Sequence, residues 1–507
     1  MANTKEIVIL ILVVFVGIVL SYIFYSGPFV YFDDNYYIFS AHQMLQGTFR
    51  PNDIPFTVET LTIASIALSF ILFGYGSLQA ALPSLIEYLA TIIVIFILGR
   101  KMLNDYFAGI ASFLYATAPF VFGYTSRALP DIFTGLTVAI ACYYLYDAIE
   151  LKSERAMFLA GFFIALTMLV KTAGAIMIAS FLIGLAYLYA HKKFRKYKRM
   201  LAYAFVGMII PLLIMMLYFY LITGNPFFNL HVYAMVFVNT APTTLSNNIN
   251  VLSISVNPIY LLHIQGWYPI NPQTFPMGLI IVLAFIGAIM GIARKNKVII
   301  FFSLIILIPM LYTFFGTKSL SQYMPISVIS RYMAIIAAPI AILAAYTLSA
   351  LYNSVKKESK AIASFVIIII ILYTTFLNLP TYHALYYYNL GVRSYNKIYS
   401  ALLHVIAETH ANRVYISSML QGLDQQYLEF LSGFNGMNFS PAGPVCTPSY
   451  YRTMLINSFT NFAAEQNNAS LISWLSGNCS LVKIISYKVD TGPNLWTEGE
   501  LFKIVPQ

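Results

Sequence analysis

The stretch VETLTIASIALSFILFG, Val58–Gly74, decides how the chain is threaded. It is apolar, but it sits at the short limit of a crossing helix, which takes roughly 20 residues. Longer apolar runs flank it at 7–25, 77–98, 106–124, 132–149, 200–222, 276–292, 298–316, 331–351 and 361–378. The run 156–190 is too long for one helix and is interrupted at Lys171-Thr172-Ala173-Gly174, so it reads as two short spans, 156–170 and 175–190. If 58–74 crosses, Arg100 and Lys101 face away from every other basic cluster. If it lies along the interface, one side collects Lys5, Arg100/Lys101, Lys152/Arg155, the basic residues of HKKFRKYKR, Arg294/Lys295/Lys297 and Lys356/Lys357/Lys360. That asymmetry is the positive-inside pattern. The stretch is therefore expected to be a juxtamembrane helix within an outer segment, 26–76, leaving about eleven transmembrane helices and a cytoplasmic N-terminus.

The composition agrees. Hydrophobic residues make up 59% of the chain and charged residues 9%, against about 25% charged in a soluble protein. The net charge of +10 resides in short clusters between apolar runs, which is a membrane signature and not a nucleic-acid one. The first run is too long for a signal-peptide core and has no small-residue cleavage site, so it counts as a span. Cys142 lies in an apolar run as an inert thiol; Cys446 and Cys479 both fall in the tail, where spacing alone does not establish a bridge.

This topology puts residues 379–507 outside the cytoplasm. Three N-x-S triplets, at Asn438, Asn468 and Asn478, are compatible with that side. Helix-like patches (NKIYSALLHVIAETH, SYYRTMLINSFTNFAAE, LISWLS) alternate with strand-like runs (RVYIS, LVKIISYK, LFKIV), so a small extracytoplasmic α/β domain is expected after an all-α membrane domain, 1–378. The outer loop 223–275 is long and free of charge; its Trp267 and Tyr268 read as interface anchors or as sugar platforms.

Acids are unevenly placed. None occurs between Glu154 and Glu358, and on the outer side of the membrane portion stand only Asp33, Asp34, Asp53, Glu59 and Asp131. In YFDDNYYIFSAHQMLQG, Tyr31–Gly47, two adjacent carboxylates follow the first span. One is explained as a helix cap. The second is not, because neighbouring like charges repel unless a cation or a task offsets them. Asp131, in SRALPDIF, opens the fourth span and either caps it or pairs with Arg127. Lys171 interrupts 156–190 at the same edge, and Arg331 and Tyr332 open a late span there. Each cation is either a membrane anchor or an anion ligand. Glu87 lies within a span and is expected to face the bundle. His42 and Asp34 would supply two metal ligands, which do not make a metal site.

An acidic pair after span one, S-R-x-x-x-D before span four, a lysine between two short spans and R-Y opening a late span together resemble the GT-C glycosyltransferases. More narrowly, they resemble the protein-O-mannosyltransferase and aminoarabinose-transferase branch, over roughly residues 1–378. The resemblance implies a polyprenyl (dolichyl) phosphate-linked sugar as donor and chemistry at the outer face. Direct displacement by an acceptor hydroxyl, on a protein, glycan or glycolipid, would invert the anomeric centre; no cofactor or metal is predicted. The resemblance makes Asp33 the base. Asp34 stands where the family has Glu, and Asp131 matches the acid of the second outer loop. It places Lys171, Arg127, Arg331 and Tyr332 near the donor phosphate. An oligosaccharyltransferase catalytic subunit would carry a Trp-Trp-Asp-Tyr-Gly run, which is absent. The competing readings are a transporter or flippase of lipid-linked sugars, which would hold its ionisable groups at mid-bilayer, and a non-catalytic envelope scaffold.

Overall fold

The structure is a computed structural model. It describes residues 4–27, 33–190, 198–239, 279–315 and 331–379, isolated positions between 381 and 393, and five strands between 413 and 506. The helices, in chain order, are α1 (Thr4–Ile23), α2 (Asp34–Leu45), α3 (Thr60–Phe73), α4 (Ser77–Met102), α5 (Asp105–Ala116), α6 (Pro119–Phe122), α7 (Asp131–Glu150), α8 (Glu154–Val170), α9 (Ala175–Ala190), α10 (Lys198–Thr223), α11 (Phe228–Asn239), α12 (Leu279–Ala293), α13 (Lys297–Phe315), α14 (Arg331–Ala334), α15 (Ala337–Val355) and α16 (Lys360–Leu377). A helix stands at each of the eleven expected spans. Seven of the described helices are long and apolar enough to cross a membrane, and α3, α12 and most of α13 are shorter apolar helices. The chain is a multi-pass membrane protein.

Two expected spans are broken near the end that carries the acids. The third stops at Ala116 and restarts as α6, with Ala118 extended at ψ 117°. Its successor is Pro119, whose ring disfavours helical geometry in the residue before it. The tenth is cut into α14 and α15, separated by a turn at Ile335-Ile336. The second break yields a short helix, α14, that carries Arg331 and Tyr332.

The placement of α3 follows from its contacts. Thr62 near its start donates to the Val170 carbonyl at the end of α8, and Ser69 near its end donates to the Gln79 carbonyl at the start of α4. Those two sites belong to the same end of the bundle, so α3 lies across the bundle and does not traverse it. The Ser69 bond has a local cause: Pro83 has no N–H to offer Gln79, and the serine hydroxyl replaces it. At the opposite end, Arg100 pairs with Glu6 and Asp105, and Lys101 with Asp147. The bundle therefore has one basic end, and Asp33, Asp34, Glu59 and Asp131 stand at the other.

Packing is closest where side chains are smallest. A Cβ on Gly161 would lie 2.2 Å from the Ala204 carbonyl oxygen, and one on Gly207 would lie 2.1 Å from that of Phe158. The backbones of α8 and α10 thus touch, the small-residue contact that drives helix association where lipid removes the hydrophobic effect.

The strands are β1 (Arg413–Ser417), β2 (Phe439–Pro441), β3 (Thr453–Thr460), β4 (Cys479–Gly492) and β5 (Leu495–Pro506). They form one mixed sheet in the order β2-β1-β3-β5-β4. β1 runs parallel to β2 and β3, while β5 pairs antiparallel with β3 and β4. All three strand-like runs of the tail fall in these strands. The patch SYYRTMLINSFTNFAAE, expected to be helical, supplies β3 instead. Its Thr453, Ile456, Phe459 and Thr460 suit a pleated strand, and ladders on both sides decide the matter. The other two helix-like patches, the three triplet asparagines, Cys446, Trp267, Tyr268 and most of loop 223–275 lie outside the described residues. The tail starts against α1: Arg393 and Asn389 donate to carbonyls of Ile23, Phe24 and Tyr25, satisfying the groups a helix end leaves open.

Candidate active site

Four carboxylates and three cations meet where α2, α3, α7, α8 and α14 converge. Asp33 occupies the N-cap position of α2, yet its side chain makes no capping bond. It reaches Arg331 instead, 2.6 Å away, and both side chains keep some exposure, 18% and 16%. Asp34, one residue on, is wholly buried. Arg127 grips it through Nε, 3.1 and 3.0 Å from its two oxygens, and through Nη2 at 2.5 Å. The Ala128 N–H adds a bond of 2.8 Å. The adjacent acids thus have different surroundings. One is a sealed clamp; the other is accessible.

The Arg127 loop is itself braced. Ser84 of α4 donates to the Arg127 carbonyl at 2.7 Å, and Ser26 and Ser126 hydroxyls share a bond of 2.8 Å. Arg127 was a candidate partner of Asp131, four residues away. That expectation is corrected: the guanidinium spans to α2, and Asp131 belongs to Lys171.

Asp131 lies in the first turn of α7, wholly buried, with Lys171 Nζ 2.5 Å from Oδ1. Lys171 is held in extended backbone at the end of α8, at φ −147°. The following turn is tight: the Gly174 N–H bonds back to the Lys171 carbonyl at 2.7 Å, and a Cβ on Gly174 would strike Thr167 at 2.5 Å. The Tyr332 ring lies under both cations, 4.7 Å from Lys171 Nζ and 5.7 Å from the Arg331 guanidinium carbon. Gly135, one turn into α7, allows α14 to approach, since a Cβ there would sit 2.8 Å from the Ala334 carbonyl oxygen. Arg331 is within electrostatic reach of both Asp131 and Asp33, which joins the two pairs into one site.

Two buried atoms of this group have no hydrogen-bond partner among the described residues, Asp131 Oδ2 and Arg331 Nε. Buried polar atoms are nearly always satisfied, and an exception calls for a reason. Here an acceptor and a donor are left over within one charged cluster, as a site that binds a polar substrate requires.

The residue that sequence reasoning passed over is Glu59. Only 1% exposed at the head of α3, it accepts hydrogen bonds from the hydroxyls of Tyr37 on α2 and, at 2.5 Å, Tyr233 on α11. Burial raises its carboxyl from 4.5 to about 7, against the opposing pull of Lys171 and the two hydroxyls and with a smaller push from Asp131. Its sequence signal was weak but present: glutamate is a poor N-cap, so an acid of that kind opening an apolar helix needs another partner. His42 does not converge on Asp34; its Nδ1 is 2.9 Å from the Tyr75 hydroxyl. Among the described residues no three His, Cys, Asp or Glu side chains are grouped to hold a metal ion. Glu87 is buried on α4, within electrostatic reach of Tyr115.

Comparison with known proteins agrees with this architecture. Residues 61–220 match the family model of the dolichyl-phosphate-mannose-protein mannosyltransferases. No protein of curated function matches in sequence. ArnT from Cupriavidus metallidurans bound to undecaprenyl phosphate superposes with a TM-score of 0.60 at 13% identity, covering 98% of each chain. Its apo state gives 0.59 at 13%, over 96% of this chain and 97% of that one. The Archaeoglobus fulgidus oligosaccharyltransferase, in complex with zinc and sulfate, gives 0.53 at 12%, over 89% of this chain and 68% of that one. At these identities the likeness is one of fold.

Proposed function

We propose that this chain, whose fold is that of the GT-C glycosyltransferases, moves a sugar from a polyprenyl-phosphate carrier to an acceptor hydroxyl at the extracytoplasmic face. The observation that carries the reading is the joined cluster at the non-basic end of the bundle, where an accessible carboxylate stands beside Arg331, whose Nε has no hydrogen-bond partner among the described residues. A transporter would hold such groups at mid-bilayer; these lie at helix ends.

The roles divide by burial. Asp33 is the base, being the accessible member of the acidic pair. Asp34, sealed against Arg127, positions the loop that leads into α7; the two form a clamp instead of meeting substrate. Asp131 orients Lys171. Lys171 and Arg331, steadied by Tyr332, receive the donor phosphate. Arg331 then has two anions to choose between, Asp33 and the phosphate. As the phosphate engages the guanidinium, the Asp33 carboxylate is released to accept a proton.

In the reaction the acceptor O–H loses its proton to Asp33 as its oxygen attacks the anomeric carbon. The bond from that carbon to the phosphate oxygen breaks, and the electron pair leaves on the phosphate, where the two cations stabilise it. One displacement inverts the anomeric centre. The lipid delivers the sugar at the membrane surface, so no nucleotide-sugar fold is needed. The tail is the segment proposed to select the acceptor, whether a protein Ser or Thr, a glycan or a glycolipid.

The test is transfer by the purified protein from a panel of polyprenyl-phosphate hexoses and pentoses and from nucleotide sugars. Transfer is expected from at least one lipid donor, and Lys171→Met should lower its kcat about 100-fold or more. Transfer from nucleotide sugars alone would defeat the donor assignment.

A further inference from the structure

The charges of the site do not balance evenly. Three carboxylates are matched one to one with cations, Asp34 with Arg127, Asp131 with Lys171 and Asp33 with Arg331. Glu59 is the fourth acid, and no salt-bridge partner lies within ion-pair distance of it among the described residues. It is held by two tyrosine hydroxyls, and the positive field of Lys171 favours its ionised form. A lipid phosphate arriving on Lys171 and Arg331 brings one more negative charge into a buried region. It repels an ionised Glu59 and draws away part of the Lys171 field that favours that ionisation.

Resting on the donor reading above, we infer that Glu59 takes up a proton as the anionic donor phosphate settles, so that donor binding is coupled to protonation of this one buried carboxyl. Among the described residues, each charged or titratable group facing it acts in a known direction. Tyr37 from α2 and Tyr233 from α11 donate to the ionised form and favour it. Lys171 at the end of α8 favours it; Asp131 from α7 opposes it. The phosphate weakens the one strong favourable influence and adds an opposing one, so the proton equilibrium moves toward the neutral acid. The starting point lets this happen near neutral pH, because burial already holds the free carboxyl up at about 7.

The linkage has a definite sign. Below about pH 7 Glu59 is already protonated, and affinity for the phosphate is flat with respect to this group. Above it, each binding event must take a proton from solution, so affinity falls about tenfold per pH unit until the carboxyl of the complex also ionises. The probe is farnesyl methyl phosphate, a diester with one negative charge that does not titrate between pH 6 and 9. Its binding to the purified full chain in detergent is measured across that range. Calorimetry in two buffers of different ionisation enthalpy at pH 7.5 counts the protons.

Wild type should lose affinity as stated and take up about half to three-quarters of a proton at pH 7.5. Glu59→Gln, permanently neutral, should bind as tightly as wild type does at pH 6, with a flat profile and no uptake. Should Glu59→Gln not fold, Tyr233→Phe serves: with one donor to the carboxylate gone, the onset of the affinity loss moves to higher pH. Measurable binding with a flat wild-type profile overturns the inference and leaves the donor reading standing. So does a Glu59→Gln profile that keeps the wild-type slope. If the diester binds at no pH, the donor reading fails and takes this inference with it.

Discussion

Asp33→Asn is expected to lose about 1,000-fold in sugar transfer, within the range by which a positioned general base accelerates a reaction. The substitution keeps the shape of the side chain and removes its negative charge and with it the capacity to accept a proton. Donor binding should survive and can tighten, because Arg331 is no longer shared with a carboxylate. Folding should change less than for a sealed pair, because the Asp33–Arg331 pair keeps some exposure and the asparagine oxygen still accepts from the guanidinium. Turnover of the lipid donor and thermal unfolding in detergent separate the two effects. A transporter or scaffold that uses Asp33 as a helix cap would tolerate the change. The absence of a capping bond from Asp33 already weighs against that reading.

Asp34, one residue later, should behave in the opposite manner. Asp34→Ala strips a buried guanidinium of its carboxylate and leaves the Ala128 N–H without its acceptor. Breaking a buried ion pair from one side costs about 3–5 kcal/mol, so the expected result is a large fall in unfolding temperature, with activity lost through misfolding. A double replacement with apolar side chains, Asp34→Leu with Arg127→Met, should recover much of that stability, because no isolated charge remains. If Asp34→Ala were as stable as wild type yet inactive, the clamp assignment would be wrong and Asp34 would take part in the chemistry.

Much of this arrangement was legible in the chain. Apolar runs of about 20 residues announce spans whatever their partners; the Lys/Arg asymmetry predicts that α3 lies along the interface, and its contacts with Val170 and Gln79 tie its two ends to α8 and α4. Lys171, at the break in 156–190, marks the end of a helix as its extended backbone requires. What the chain conceals is pairing. Arg127 has an acid four residues away and uses one nearly a hundred residues away instead, because the loop carrying it is fixed to α4 by Ser84. Nothing local forecasts that choice. Glu59 is hidden for a similar reason, since its tyrosines come from α2 and α11. β3 was misread because TMLINSFT has apolar residues at helical spacing, and only the strands on either side settle it.

The proposition on which the rest depends is that Asp33 takes the proton directly from the acceptor in a single displacement. The most direct measurement is the anomeric configuration of the sugar after one transfer, read from the anomeric proton by NMR against a donor of defined configuration. The account predicts a product opposite in configuration to the donor. A product of retained configuration would require a covalent sugar intermediate, and it would contradict the assignment of Asp33 as base.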